Sequence, residues 1–131
     1  MTRANLVRVL ALTLAVSLLL LAGCSAKGVD VTVQITGPEG VSIFNQTVTV
    51  NTKEEPTAMD ATEAAVAKGK LTMEATDGFV TAFSDLPSTP TDGWLLYVNT
   101  ELAMVGAKEQ MISQGDTIEW RYKNYDEVFG S

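Results

Sequence analysis

The side chains that most often carry reaction chemistry are scarce in this chain. It has no histidine, and its one cysteine is Cys24. These absences remove the Ser-His and Cys-His nucleophile pairs and the nitrogen ligands of most zinc sites. Carboxylates remain as candidate acids and bases, namely Glu54, Glu55, Asp85 and Asp92, and an enzyme of this type would need two of them buried and facing each other. Because acidic residues in polar segments are usually solvated, we predict a protein that is not an enzyme and has no resident cofactor or metal.

A second set of residues suits binding rather than reaction. Aromatic and amide side chains recur in the C-terminal third, and the candidates are Trp94, Tyr97, Asn99, Trp120 and Tyr122. Such side chains hold planar, mostly apolar ligands, with a few amide or hydroxyl groups setting the orientation. Strand alternation places Trp94 and Tyr97 on opposite faces, and core packing is the competing role for both tryptophans. The sequence leaves both interpretations open.

The N-terminus has the pattern of an export signal. Arg3 and Arg8 precede the uncharged residues 9–21, which are too few to cross a bilayer comfortably as a helix, and Leu-Ala-Gly-Cys follows, ending at Cys24. This tetrapeptide resembles the lipobox of bacterial lipoproteins. The resemblance implies that residues 1–23 are a signal peptide, that Cys24 is lipidated and that residues 24–28 are a short tether. An uncleaved anchor helix is the alternative.

Charge excludes one class of partner. The chain has 16 acidic against 9 basic residues, for a net charge of −7, and the basic residues are scattered. Nucleic-acid binding is therefore not expected, because it requires clustered lysine and arginine. A lone cysteine permits no intrachain disulfide, so a single small domain must be stabilised by packing.

Periodicity predicts a hairpin followed by a helix. Apolar side chains alternate with polar ones over residues 29–35, residues 37–40 read Gly-Pro-Glu-Gly, and residues 42–50 are rich in β-branched side chains. Thr57 and Asp60 form a candidate capping pair ahead of an Ala-rich helix over residues 58–68.

Further strands are predicted after the helix. Residues 71–75 and 79–83 flank Asp77-Gly78, a strong hairpin signal, and residues 84–92 contain two prolines and predict an exposed loop. Strands over 94–99 and 117–122 complete the set, and the residues after 122 lack periodicity. We therefore predict an α+β fold, a small roll of the β-grasp type with a mixed sheet and the helix across one face.

Three motifs carry a family resemblance. Residues 93–99 read Gly-Trp-Leu-Leu-Tyr-Val-Asn, residues 105–107 read Val-Gly-Ala, and residues 115–122 read Gly-Asp-Thr-Ile-Glu-Trp-Arg-Tyr. Together they resemble the transcobalamin-like C-terminal domain family, found in bacterial surface proteins and as the last domain of animal cobalamin carriers. The resemblance covers residues 29–123, which leaves 124–131 as a tail. Thr100 departs from the family pattern, which has glycine there.

The resemblance implies a binding module. In the cobalamin carriers this domain is similar to a lid over a ligand that a separate helical barrel mainly holds. We expect a lipid-anchored protein on the extracytoplasmic face of the cell membrane or outer membrane. Its ligand would be a corrinoid such as cobalamin, or a related small molecule, bound with a partner subunit or handed to a transporter. The alternative is a surface module whose loop 84–92 and Asn99 turn contact a protein or polymer, with no small ligand.

Overall fold

A computed structural model describes residues 28–130. The predicted signal peptide, Cys24 and nearly all of the tether lie outside the described residues. Within residues 28–130, no helix combines the length and the apolar character needed to cross a bilayer.

A mixed sheet is the centre of the fold, as predicted, and it has five strands. Its strands run over Val29–Thr36 (β1), Ser42–Val50 (β2), Asp92–Val98 (β6), Glu101–Leu102 (β7) and Thr117–Asn124 (β8). Their order in the sheet is β2-β1-β8-β6-β7. The pair β1 and β8 is parallel and the other neighbours are antiparallel. The first hairpin turns through a short 3-10 segment at Pro38–Gly40, inside the predicted Gly-Pro-Glu-Gly turn.

One main helix, α1 (Ala58–Gly69), crosses one face of this sheet. Its predicted cap is present: the Asp60 N–H donates to Thr57 Oγ1 at 3.3 Å, and the Thr57 N–H donates to Asp60 Oδ2 at 2.9 Å. The helix includes Gly69, and Lys70 takes the left-handed conformation with φ 53°. A Cβ on Gly69 would lie 2.9 Å from the Phe44 ring, so glycine here allows close packing on β2.

A second sheet of three short strands has the order β3-β4-β5. The strands are Met73–Thr76 (β3), Phe79–Phe83 (β4) and Leu86–Pro87 (β5). Asp77 and Gly78 make the predicted hairpin turn, with φ values of 51° and 85°. The predicted loop 84–92 is shorter than expected because β5 pairs with the end of β4 inside it.

The C-terminal residues are more regular than their sequence indicates. Strand β8 extends to Asn124, whose side chain accepts hydrogen bonds from the N–H groups of Asp126 (3.0 Å) and Glu127 (3.3 Å). These bonds cap a one-turn helix, α2 (Tyr125–Phe129). Tyr125 in this helix lies over Gly93, where a Cβ would clash with the tyrosine hydroxyl. Gly93 therefore permits a close approach within β6 and does not form a turn.

The hydrophobic core lies between the larger sheet and α1, with the second sheet closing one side. Its largest fully buried side chains come from β1, β4 and β8. They include Phe83, Ile35, Ile118, Val31 and Val33.

The turn between β6 and β7 offers a test of stored backbone strain. Asn99 and Thr100 have φ values of 50° and 71°, so the primed hairpin turn forms even though Thr100 is β-branched. We expect Thr100→Gly to raise the free energy of unfolding by about 1 kcal/mol, because glycine adopts this conformation without steric cost. Urea denaturation measures the change. Thr100→Ala keeps the Cβ and serves as the control; an equal gain there would contradict the strain argument.

Candidate functional site: an apolar recess beside two tryptophans

An apolar recess opens where β4, β6 and the loop after β7 meet. It has a volume of about 250 Å³ and is lined by residues 78–80, 94–96 and 102–107, together with Trp120 and Phe129. Several rim side chains are unusually exposed for apolar residues: Met104 is 87% exposed, Phe79 61% and Phe129 60%. Exposed apolar side chains gathered at a concavity are typical of a binding surface.

The wall formed by the two tryptophans is held rigid by an aromatic cluster. The Phe83 ring centroid lies 4.9 Å from that of Trp94 and 5.6 Å from that of Trp120, in edge-to-face arrangements. The Tyr122 ring packs on Trp94 at 5.2 Å. Edge-to-face contacts stabilise such clusters beyond the burial of their area.

Both indole N–H groups are already bonded within the fold. Trp94 Nε1 donates to the Leu86 carbonyl at 2.9 Å, and Trp120 Nε1 donates to Thr62 Oγ1 at 2.9 Å. The Thr62 hydroxyl in turn donates to the Ala58 carbonyl at 2.7 Å. The tryptophans therefore offer a ligand their ring carbons and not their N–H groups.

The predicted site residues do not form one cluster. Trp94 and Trp120 line the recess, whereas Tyr97 lies on the opposite face of the sheet with the Arg121 guanidinium 4.1 Å from its ring centroid. Arg121 also forms an ion pair with Glu119 at 2.7 Å, a hydrogen bond that raises the pKa of the guanidinium. Tyr97 is thus covered by a cation.

Asn99 and Tyr122 use their polar groups inside the fold. The Asn99 side-chain amide donates to Asp116 at 2.9 Å and accepts from the Thr117 N–H at 2.9 Å, which joins the β6–β7 turn to the start of β8. The Tyr122 hydroxyl donates to the Pro87 carbonyl at 2.9 Å, and desolvation raises the pKa of the phenol. Ligand contact by Tyr97, Asn99 and Tyr122 stays a prediction.

The rim residues were not singled out as a site in the sequence. Phe79, Met104, Val105 and Phe129 come from three separate segments, so no local spacing connects them. The available signal was the apolar pair Met104-Val105 inside a short connecting segment, where polar residues are usual.

The four carboxylates considered as acids and bases do not form a buried pair. Glu54, Glu55 and Asp85 are exposed, while Asp92 accepts hydrogen bonds from Thr91 and from Asn124. Among residues 28–130, no group of three acidic, cysteine or histidine side chains is placed to hold a metal ion.

Comparison with known structures supports the fold. A crystal structure of haptocorrin in complex with Cbi matches with a TM-score of 0.64 and 19% sequence identity. The match covers 76% of this chain and 26% of the haptocorrin chain. A protein from Ruminococcus gnavus ATCC 29149, described provisionally as metal binding, matches with a TM-score of 0.53 and 14% identity, covering 73% of this chain and 97% of that one. At these identities the likeness concerns the fold alone. The chain covers about a quarter of the haptocorrin chain.

Sequence comparison gives the family. No curated protein matches this chain. One family, described as "Domain of unknown function (DUF4430)", matches residues 55–124, a segment that includes α1, both tryptophans and nearly all of the recess. Because this match covers more than half of the sequence, the chain belongs to the DUF4430 family.

Proposed function

We propose that this protein is a lipid-anchored, extracytoplasmic binding lipoprotein whose recess holds one face of a corrinoid or a related small ligand. The observation that carries the proposal is the apolar recess with its two tryptophans and its exposed rim. A flat, mostly apolar ligand would cover Phe79, which otherwise contacts water. Haptocorrin, which shares the fold, was crystallised with Cbi.

The recess is too small to enclose a corrinoid, so the proposal includes a second protein that covers the rest of the ligand. Sites that enclose a small ligand usually measure roughly 300–1,000 Å³. The recess has about 250 Å³, so it can seat part of a corrinoid and leaves the rest uncovered. A partner subunit or a transporter would supply the opposite wall, and the isolated chain is expected to bind weakly.

The proposal places membrane attachment at Cys24, the last residue of the tetrapeptide that resembles a lipobox. Removing residues 1–23 takes away Arg3 and Arg8 and no acidic residue, so the net charge becomes −9 instead of −7. A tether over residues 24–28 reaches only ~15 Å when extended, which keeps the domain close to the lipid headgroups. Its negative charge opposes flat adsorption on an anionic bilayer.

Ligand binding is tested by titrating the full chain in nanodiscs with cobinamide, following heat and the corrin absorption spectrum. Binding with a Kd near 100 μM corresponds to roughly 5.5 kcal/mol and is the expected order. Phe79→Asp should weaken cobinamide binding at least tenfold, because it replaces an apolar side chain of the recess with a charged one. Val41→Asp is the matched control, because Val41 is also 61% exposed but does not line the recess. Absence of any spectral or thermal change at 100 μM contradicts the corrinoid proposal.

The lipid anchor is tested separately. Cys24→Ser should release the protein from membranes, because the proposed anchor is a lipid carried by this cysteine. Membrane fractionation measures the release. Retention of an uncleaved Cys24→Ser protein in the membrane would favour the anchor-helix alternative.

A second candidate is a protein-binding module with no small ligand. The exposure of Met104, at 87%, favours it, because a side chain this far out of the recess contacts a partner more readily than a seated ligand. Capture of a partner that Phe79→Asp abolishes, together with a silent cobinamide titration, would support this alternative.

A further inference from the structure

The main chain of β6 forms part of the recess wall. Trp94, Leu95 and Leu96 all line the recess, although consecutive side chains of a strand point to opposite faces. Three successive residues can share one cavity when the edge of the strand faces it. The recess therefore contains peptide groups as well as apolar side chains.

The hydrogen-bond pattern shows which peptide groups these are. The Asn99 N–H donates to the Thr117 carbonyl of β8 at 2.9 Å. Because bonding alternates along an antiparallel strand, Tyr97 and Leu95 also direct their main-chain groups toward β8. By the same alternation, Trp94 and Leu96 direct their main-chain N–H and C=O groups away from β8 and toward the recess.

On this edge the carbonyl groups of Asp92 and Leu96 are bonded, whereas the Leu96 N–H and both peptide groups of Trp94 have no hydrogen-bond partner among residues 28–130. The Asp92 carbonyl accepts from the Thr89 N–H at 2.7 Å, and the Leu96 carbonyl accepts from the Ala103 N–H at 2.9 Å. Within the described part of the chain, neither the main-chain N–H nor the C=O of Trp94 has a hydrogen-bond partner. Trp94 is only 5% exposed. These two peptide groups face the recess, so a ligand that displaces water from it must bond both of them or leave them unpaired at a cost in free energy.

We propose that the Trp94 N–H and C=O are the polar anchor of the recess and bind a carboxamide on a flat apolar ligand. A primary carboxamide presents one acceptor and one donor on the same side, which matches the C=O and N–H of a single strand residue. A carboxylate has no proton for the Trp94 C=O. It would also approach a chain whose net charge is −7 with residues 1–23 and −9 without them.

This inference names the ligand class of the recess and so rests on the proposed function, but it does not require a corrinoid. A recess of about 250 Å³ has room for a two-ring aromatic molecule. The probe we choose is 2-naphthamide. Its matched partner is 2-acetylnaphthalene, in which a methyl group replaces the NH2 and removes the donor while the shape is kept.

The experiment titrates both probes into the full ¹⁵N-labelled chain in nanodiscs, with empty nanodiscs correcting for partition into lipid. We expect 2-naphthamide to bind about tenfold more tightly than 2-acetylnaphthalene, and 2-naphthoate to bind more weakly than either. The Trp94 main-chain amide proton should move downfield with 2-naphthamide and exchange more slowly with solvent. The Leu95 amide, which faces β8, is the internal control.

Equal affinities for amide and ketone, or a Trp94 amide proton that does not respond, would overturn the inference. The same holds if neither probe binds. These results are separable from the corrinoid test. If cobinamide binds but neither probe changes the Trp94 amide signal, the Trp94 anchor is refuted and the corrinoid proposal is not. If 2-naphthamide binds more tightly than 2-acetylnaphthalene but cobinamide does not bind, the corrinoid proposal is refuted and the Trp94 anchor is not.

Discussion

Phe83→Ala is expected to lower the free energy of unfolding by about 4 kcal/mol, a large part of the stability of a domain this size. Phe83 is 0% exposed, and its ring packs edge-to-face on both tryptophans. Alanine would leave a cavity behind the wall of the recess and remove both aromatic contacts. Urea denaturation followed by tryptophan fluorescence measures the loss.

Phe79→Ala is the matched control for this change. The two phenylalanines begin and end β4, but Phe79 is 61% exposed at the rim of the recess. Its removal should change stability by no more than about 0.5 kcal/mol while weakening ligand binding. If both variants lost the same stability, the division between supporting and contacting residues would be wrong.

Thr62→Val is expected to lower the free energy of unfolding by about 2 kcal/mol. The substitution keeps the shape of the side chain but removes the hydroxyl that accepts from Trp120 Nε1, and Thr62 is 0% exposed. The indole N–H would then be buried without a partner, and such a group bears its full desolvation cost. Denaturation measures the cost, and the Trp120 indole proton should move upfield in the NMR spectrum.

Thr62→Ser distinguishes the hydrogen bond from the packing. Serine keeps the hydroxyl and loses one methyl group, so about 1 kcal/mol of destabilisation is expected with the indole proton unshifted. A valine variant as stable as the parent protein would mean that the Trp120–Thr62 bond contributes nothing. That result would also remove the reason for a polar residue on the buried face of α1.

The bond between Thr62 and Trp120 connects the helix to the recess. It joins α1 to β8 directly beneath the ring that lines the cavity. Together with the Trp94 bond to Leu86, it fixes both indoles before a ligand arrives. A rigid apolar wall loses little conformational entropy on binding, which partly offsets the small contact area.

Several elements could be predicted from the sequence because short-range chemistry determines them. The Gly-Pro-Glu-Gly turn, the Thr57–Asp60 cap and the Asp77-Gly78 hairpin depend on residues within a few positions of one another. Alternating apolar residues also marked β1 and the buried side of β6. The mixed α+β arrangement followed from the order of these elements.

Other elements depend on contacts between distant segments. Strand β5 has two residues and exists because Leu86 and Pro87 pair with β4, which no periodicity in a Pro-containing segment indicates. The α2 helix follows a strand end that was expected to be irregular, and Asn124 caps it. Thr100 takes a positive φ despite its side chain because β6 and β7 pair on either side of it.

In the candidate site, too, some features follow from neighbouring residues and others from contacts between distant segments. Local sequence identified Trp94, Trp120 and the alternation that separates Trp94 from Tyr97. Only the tertiary structure decided that Phe79, Met104 and Phe129 meet those tryptophans, and that Arg121 covers Tyr97. Turns and caps involve a few neighbouring residues, so their chemistry can be read locally. A recess is formed by side chains and strand edges far apart in the chain, and their meeting is determined by the packing of the whole core.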